Sequence, residues 1–386
     1  MYSRIITVVF ASVLMTAGNA FTLATASASD DPVKRLKQPP AETRFNNPQV
    51  VAPMPGTGAL PLIRVFLNDQ GPFLFHVNTG TDCILIQEWV ADRLALPMVS
   101  RIDEGRLCKL EHLRIEDLVF SNMVVGVKRW EGEIDGILGY NLFRECVFTI
   151  DFPAGQYRFS LQPLDKPDGI EILKFRYGET MGPYISVKTG DETTPFLVST
   201  GYSGYLQIIP DGEKNYHFKF PPLKGLETAG FSVPPPGRFG RVSDVLNLGR
   251  HMILEPVIAI VPGEENMIGC GILRHFTVSF DPFNKTVRIM RDSEVPIIIP
   301  SVRELGFRVE NRPGGCFIAY VLPWLKEIGV DLRVGDQLVT VESQPAGQVT
   351  REEWLLFERN FNYLELRLLR DGEEIITEVP MRIILP

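Results

Sequence analysis

Nothing in this sequence is basic enough to follow a phosphate backbone. The formal net charge is -8, and acidic and basic residues are mixed along the chain without a basic run or face, which excludes nucleic acid as a partner. After the N-terminus no apolar stretch approaches the ~18 residues that a spanning helix needs, so no membrane span is expected. The histidines are few and scattered (His76, His112, His217, His251, His275), and no two have metal-ligand spacing. The cysteines, Cys83, Cys108, Cys146, Cys270 and Cys316, form no C-x-x-C pair. No structural metal and no cofactor is therefore expected. An odd cysteine count leaves at least one thiol unpaired within the chain. Cys83 and Cys108 are open to bridging, and the rest read as small buried apolar residues.

What is present is length and turns. A chain of 386 residues exceeds one ordinary core, so two or three domains are expected. With 33 Gly and 30 Pro it carries the many turns of a β-rich fold. The N-terminus reads as an export signal over residues 1–28: Arg4, an apolar stretch Ile5 to Ala17, then Ala26-Ser27-Ala28 before the polar Ser29-Asp30-Asp31. Asn19 and Thr22 interrupt the apolar run, which favours cleavage over an anchor, and no cysteine stands at the cleavage site to take a lipid. The mature protein is thus expected in the periplasm, the cell envelope or the medium. Residues 29–55, polar and rich in proline, read as a linker. Pro61 to Leu67 and Phe73 to Val77 read as strands around the turn Asn68-Asp69-Gln70-Gly71. Gln87 to Leu96 suits a short helix and Val119 to Trp130 a further strand.

An internal repeat follows. Leu138-Gly139, Leu142, Arg144, Thr149, Asp151 and Arg158 recur as Ile268-Gly269, Ile272, Arg274, Ser279, Asp281 and Arg288 at a constant offset. Each copy also opens alike: Pro72 to Gly80 ends in Asn78-Thr79-Gly80, and Pro195 to Gly201 ends in Ser199-Thr200-Gly201. Two matched motifs in the same order imply two similar β-rich lobes.

A hydrophobic strand running into Asp-Thr-Gly, with a later apolar-apolar-Gly element beneath it, is the active-site loop of aspartic proteases. Residues 56–298 carry both elements twice and resemble the bacterial retropepsin-like aspartyl protease family in a fused, two-lobed form. The resemblance implies a mainly β fold of two aspartic-protease-like β-barrel lobes, 56–165 and 166–298. It also implies that Thr79 and Thr200 tie the two loops together while Gly80 and Gly201 allow the tight turns.

The departure is chemical. The family's mechanism needs one carboxylate from each loop, sharing a proton so that one activates water and the other polarises the scissile carbonyl. Asn78 and Ser199 stand in those places. An amide cannot take a proton from water, and a hydroxyl is a far weaker acid than a carboxyl. Loss of one general acid–base group forfeits ~10²–10⁴-fold in rate, and both are missing here. The dyad is degenerate and no catalytic residue is intact. Three rescues compete with simpler roles. Asp82 reads as a turn-stabilising or surface acid, Asp135 as structural, and Ser199 or Ser203 as a nucleophile lacks a G-x-S-x-G setting and a histidine partner.

Residues 299–386 resemble a PDZ domain of the circularly permuted kind found in exported bacterial proteins. The resemblance rests on Leu305-Gly306-Phe307, a strand Phe317 to Val321, and Val334-Gly335-Asp336 entering a strand. Helices are expected at Trp324 to Ile328 and Glu352 to Asn360, and a hairpin about Arg370-Asp371-Gly372. The resemblance implies strand addition by an extended peptide or a protein C-terminus, with Leu305, Gly306 and Phe307 as the carboxylate-holding loop. Pro323-Trp324-Leu325 replaces the family's small residues in the next turn. The expected partners are peptide or protein segments. The competing readings are an active endopeptidase that uses a non-standard acid, and a purely structural part of the envelope.

Overall fold

A computed structural model describes residues 32–56, 60–102, 105–130, 134–178, 182–189, 192–224, 237–263 and 265–386. The chain is mainly β. Its described residues fall into two compact units, one spanning 32–222 and 239–298, the other 299–386 with Leu223, Lys224, Gly237 and Arg238. The expected export signal, residues 1–28, lies outside the described residues.

The first lobe begins with the hairpin Leu62–Leu67 and Gln70–Asn78. The second strand starts earlier than its sequence pattern indicates. Only Asn68 and Asp69 turn, both with left-handed φ of 45° and 62°, as a two-residue hairpin loop requires. Six strands then close on themselves in the order Leu118–Lys128, Leu85–Gln87, Gly136–Gly139, Gln70–Asn78, Leu62–Leu67 and Gly105–Ile115. Closure removes the sheet edges, and the inward side chains (Val65, Phe75, Val77, Ile86, Leu110, Val125) fill the barrel as a dry core. The helix after Leu85–Gln87 is Glu88–Arg93.

The second lobe repeats the pairing. Glu192–Val198 runs parallel to Met267–Ile268, as Gln70–Asn78 does to Gly136–Gly139. Leu206–Ile208 is antiparallel to Met267–Ile268 and parallel to Val257–Ile260, as Leu85–Gln87 is to Gly136–Gly139 and Leu118–Lys128. The repeated Gly has a steric cause. A Cβ on Gly139 would stand 2.6 Å from the Cys83 nitrogen, and one on Gly269 would stand 2.5 Å from the Tyr202 oxygen.

The lobes share one sheet, in the order Gln49–Pro53, Gln156–Ser160, Val147–Asp151, Thr277–Asp281, Thr286–Met290 and Ile172–Tyr177. At its centre Thr149 faces Ser279 in register, and Phe148 faces Phe280. One face is an aromatic stack: Phe148 lies 4.2 Å from Phe143, 5.5 Å from Phe159 and 5.8 Å from Phe280 between ring centroids.

The stretch read as a linker is built into this unit. Glu42–Phe45 pairs with Leu118–Lys128, and Gln49–Pro53 forms an edge of the shared sheet. Leu36, at the end of the short helix Pro32–Leu36, is fully buried among Cys83, Leu85 and Leu107. The Asn141 amide donates to the Leu36 and Gln38 carbonyls at 3.2 and 3.0 Å. Polar, proline-rich composition concealed these contacts, because the partners lie a hundred residues away. A second correction concerns the thiols. All five cysteines are buried and free, so Cys83 and Cys108 do not bridge.

The unit at 299–386 centres on an antiparallel sheet, Phe307–Arg312, Gly315–Val321, Gln337–Val341, Tyr363–Arg370 and Glu373–Pro380, with Val302–Glu304 paired separately to Arg382–Leu385. Helices Pro323–Glu327 and Arg351–Asn360 accompany it. The second helix opens on a capping box, in which Glu353 N–H donates to the Thr350 hydroxyl at 3.3 Å and Thr350 N–H to the Glu353 carboxylate at 2.7 Å. Leu305, Phe307, Ile318, Leu338, Leu364 and Leu366 form its core. The Gly335-Asp336 turn is fixed from a distance. The buried Asp336 carboxylate accepts from Arg370 Nε and Nη2, both at 2.7 Å, and from Arg333 N–H at 2.9 Å. Burial alone would raise this carboxyl, but the arginine and the backbone donor hold it below the usual range.

Candidate functional site

The two loops seen as a repeat meet in the structure. Gln70–Asn78 and Glu192–Val198 each deliver a residue pair onto a tight turn. There the Thr side chains exchange bonds. Thr79 N–H donates to Thr200 Oγ1 at 2.9 Å, and Thr200 N–H donates to Thr79 Oγ1 at 3.1 Å. Each hydroxyl then donates onward into the opposite lobe, Thr79 Oγ1 to the Val198 carbonyl at 2.6 Å and Thr200 Oγ1 to the Val77 carbonyl at 2.7 Å. All four bonds are buried, where an orphaned partner costs most.

Asn78 and Ser199 flank this clasp, each nearly buried at 4% exposure. Asn78 Oδ1 accepts from Gly80 N–H at 2.9 Å, which fixes the carboxamide over its own loop. A Cβ built on Gly80 would lie 2.5 Å from Ser199 Oγ and 3.2 Å from Asn78 Oδ1. Both oxygens therefore crowd one point. On the other side, a Cβ on Gly201 would run into the Asn78 carboxamide. Each glycine is bare because the side chain of the opposite loop passes over it. The pair is neutral, one amide beside one hydroxyl.

The two other acids near the loops in sequence, Asp82 and Asp135, are engaged elsewhere. The Asp82 carboxylate pairs with Lys37 Nζ at 3.1 Å and is buried, which removes the surface alternative of the two roles expected for it, turn-stabilising or surface acid. Its partner comes from the segment read as a linker. Asp135 Oδ2 accepts Leu74 N–H at 2.7 Å in a structural bond, and burial raises its carboxyl. Among the described residues, no carboxylate hydrogen-bonds to Asn78 or Ser199. Ser203 is half-buried beyond the second loop.

Two residues of the site escaped notice in the sequence. His76 is fully buried, and its Nε2 lies 3.0 Å from the Thr200 carbonyl. The Cys270 thiol donates to the same carbonyl at 3.3 Å. Burial pushes that thiol up to about 12, so it stays protonated and serves as a donor. Period-two alternation was the available signal for His76, which shares a strand face with Asn78.

The residues at 305–307 are also placed. Gly306 has φ +77°, and a Cβ there would stand 2.6 Å from the Trp324 ring. Trp324 Nε1 donates to Glu304 at 3.2 Å, so the indole is fixed against the loop. Gly306 uses its carbonyl to accept Leu322 N–H at 2.7 Å. Leu305 and Phe307 are buried, and the Phe307 ring packs edge-on to Trp354 of the helix Arg351–Asn360 at 6.0 Å.

The loop clasp makes a direct prediction. Thr200→Val leaves the Thr79 N–H and the Val77 carbonyl without partners and should cost about 2–5 kcal/mol, while Thr200→Ser should recover most of it. Chemical denaturation of both variants checks this, and a valine variant as stable as the parent would contradict the clasp.

No protein-family model matches the chain, and no curated protein matches it. Among solved structures it is similar to a retropepsin-like aspartic protease from Rickettsia conorii, with 20% identity over 31% of this chain and 92% of that one and a TM-score of 0.25.

Proposed function

We propose that this is an exported aspartic-protease-like protein that holds extended peptide or protein segments and does not cut them. One observation carries this reading: an amide and an alcohol, Asn78 and Ser199, crowd a single point between two interlocked loops, where the peptidase chemistry would need two carboxylates. The surroundings that such chemistry would use are kept, and the groups that would move protons are not. Asp82, engaged with Lys37, gives no support to a substitute acid.

In the same reading the unit at 299–386 acts as a PDZ-like module. Phe307–Arg312 pairs on one side only among the described residues, leaving backbone donors and acceptors for an added strand. Trp324 and Trp354 both pack at one end of that edge, against Gly306 and Phe307, which favours a ligand with a small residue there.

The test uses the mature protein and a pool of defined peptides. Binding should raise the melting temperature, by the equivalent of ~2.7 kcal/mol at a hundred times the dissociation constant, and leave the peptides intact. Pepstatin-sensitive cleavage by the unmutated protein between about pH 3 and pH 8 would refute the reading.

A further inference from the structure

The repeat contains residues that the loops do not use. Thr149 and Arg158 recur as Ser279 and Arg288, and none of them hydrogen-bonds to Asn78 or Ser199. The shared sheet sets them in one row. Arg158 is in register with Thr149, Thr149 with Ser279, and Ser279 with Arg288. Residues in register share a face, so this row lies on the side opposite the aromatic stack. Adjacent strands stand about 4.8 Å apart, which puts the two arginine backbones about 14 Å from each other. Two long guanidinium side chains can converge over the hydroxyls between them.

That face opens into a cavity of about 950 Å³, lined among others by Thr149, Arg158, His275, Ser279, Arg288 and Arg291. The floor is polar and buried, with Thr149 Oγ1 donating to Ser279 Oγ at 2.8 Å. Ser279 keeps its own proton for another acceptor. Three carboxylates also line the cavity, and they differ in standing. Asp151 is satisfied by Thr277 Oγ1 at 3.1 Å, Ala154 N–H at 3.2 Å, Gln156 Nε2 at 3.4 Å and Arg158. Asp165 holds Arg288 at 3.3 Å but its side chain is 91% exposed, an ion pair that a ligand displaces at little cost. Asp292 is exposed. Each of Arg158 and Arg288 commits one N–H to these acids and has others to offer.

We propose that this cavity is a second binding site, taking an oxyanion of the carboxylate or phosphate class between the Arg158 and Arg288 forks above the Thr149–Ser279 hydroxyls. Planar forks on either side of a hydroxyl floor suit a group with several acceptor oxygens, and the symmetry of the repeat supplies one fork from each lobe.

The experiment is calorimetric titration and thermal shift of the full mature chain with two probes, inorganic phosphate and a tetraglutamate peptide, each against chloride at matched ionic strength. At least one probe should bind and stabilise beyond chloride, and which one does so separates a free phosphate-type anion from an acidic side chain. Arg288→Gln, which loses only an exposed partner, should weaken that binding about tenfold. Arg158→Gln should do the same, and Arg312→Gln, in the other unit, should not. Absence of binding beyond chloride for both probes, or binding undiminished in Arg288→Gln, would overturn the site.

Discussion

Converting Asn78 and Ser199 together to aspartate should produce a peptidase, with no turnover expected of the parent. The frame for it is in place. Gly80 N–H already donates to Asn78 Oδ1 at 2.9 Å, and an aspartate there would accept the same bond. Gly80 offers the side chain at position 199 the bare backbone that Gly201 offers Asn78. Two carboxyls so close would share a proton, so activity should be greatest on the acid side and decline as both ionise. Each single replacement supplies one acid of a pair that acts as a unit. It should stay at least about 10²-fold below the double variant, since one acid–base group contributes ~10²–10⁴-fold. Turnover of a peptide library by the four proteins measures this. A folded double variant without activity would mean that the space over the loops does not admit a substrate, and the proposed peptide-holding role would fall with it.

Phe148→Ala should be among the most damaging single changes. The ring is fully buried and stacks on Phe143, Tyr157, Phe159 and Phe280, so it belongs to the cores of both lobes at once. Truncating a buried phenylalanine costs about 3–5 kcal/mol, and this site cannot collapse readily because its walls are hydrogen-bonded strands. Phe280→Ala should cost a similar amount, and the pair should be non-additive because the two rings touch. Urea denaturation of the three variants provides the numbers. A loss under about 1 kcal/mol for Phe148→Ala would show that the lobes cohere by other means.

The repeat was legible in the sequence because it is enforced by contact. Gly139 and Gly269 must be glycine to pass under their loops, and the matched strands Val147–Asp151 and Thr277–Asp281 must alternate alike to share a sheet. Thr79 and Thr200 were legible for the same reason. The N-terminal segment was not. Its strands are short, its proline content signals a linker, and its anchors, Asn141 and Asp82, lie far along the chain. That segment also carries Lys37, the cation that pairs with Asp82 among the described residues. His76 was lost among scattered histidines because its partner, the Thr200 carbonyl, is 124 residues away. Arg370 looked like part of a hairpin turn, and only the fold brings it to Asp336.

The register of the shared sheet bears on how the molecule is made. Gln49–Pro53 finds Gln156–Ser160 within the first half, but Val147–Asp151 must wait for Thr277–Asp281. In a chain delivered N-terminus first, the edge of Val147–Asp151 that later pairs with Thr277–Asp281, and the side of the Phe148 ring that later meets Phe280, stay open until the second half arrives. Such a delayed seam is slow to close and prone to sticking meanwhile, so yield during biogenesis should depend more on that interval than on the strength of the completed structure.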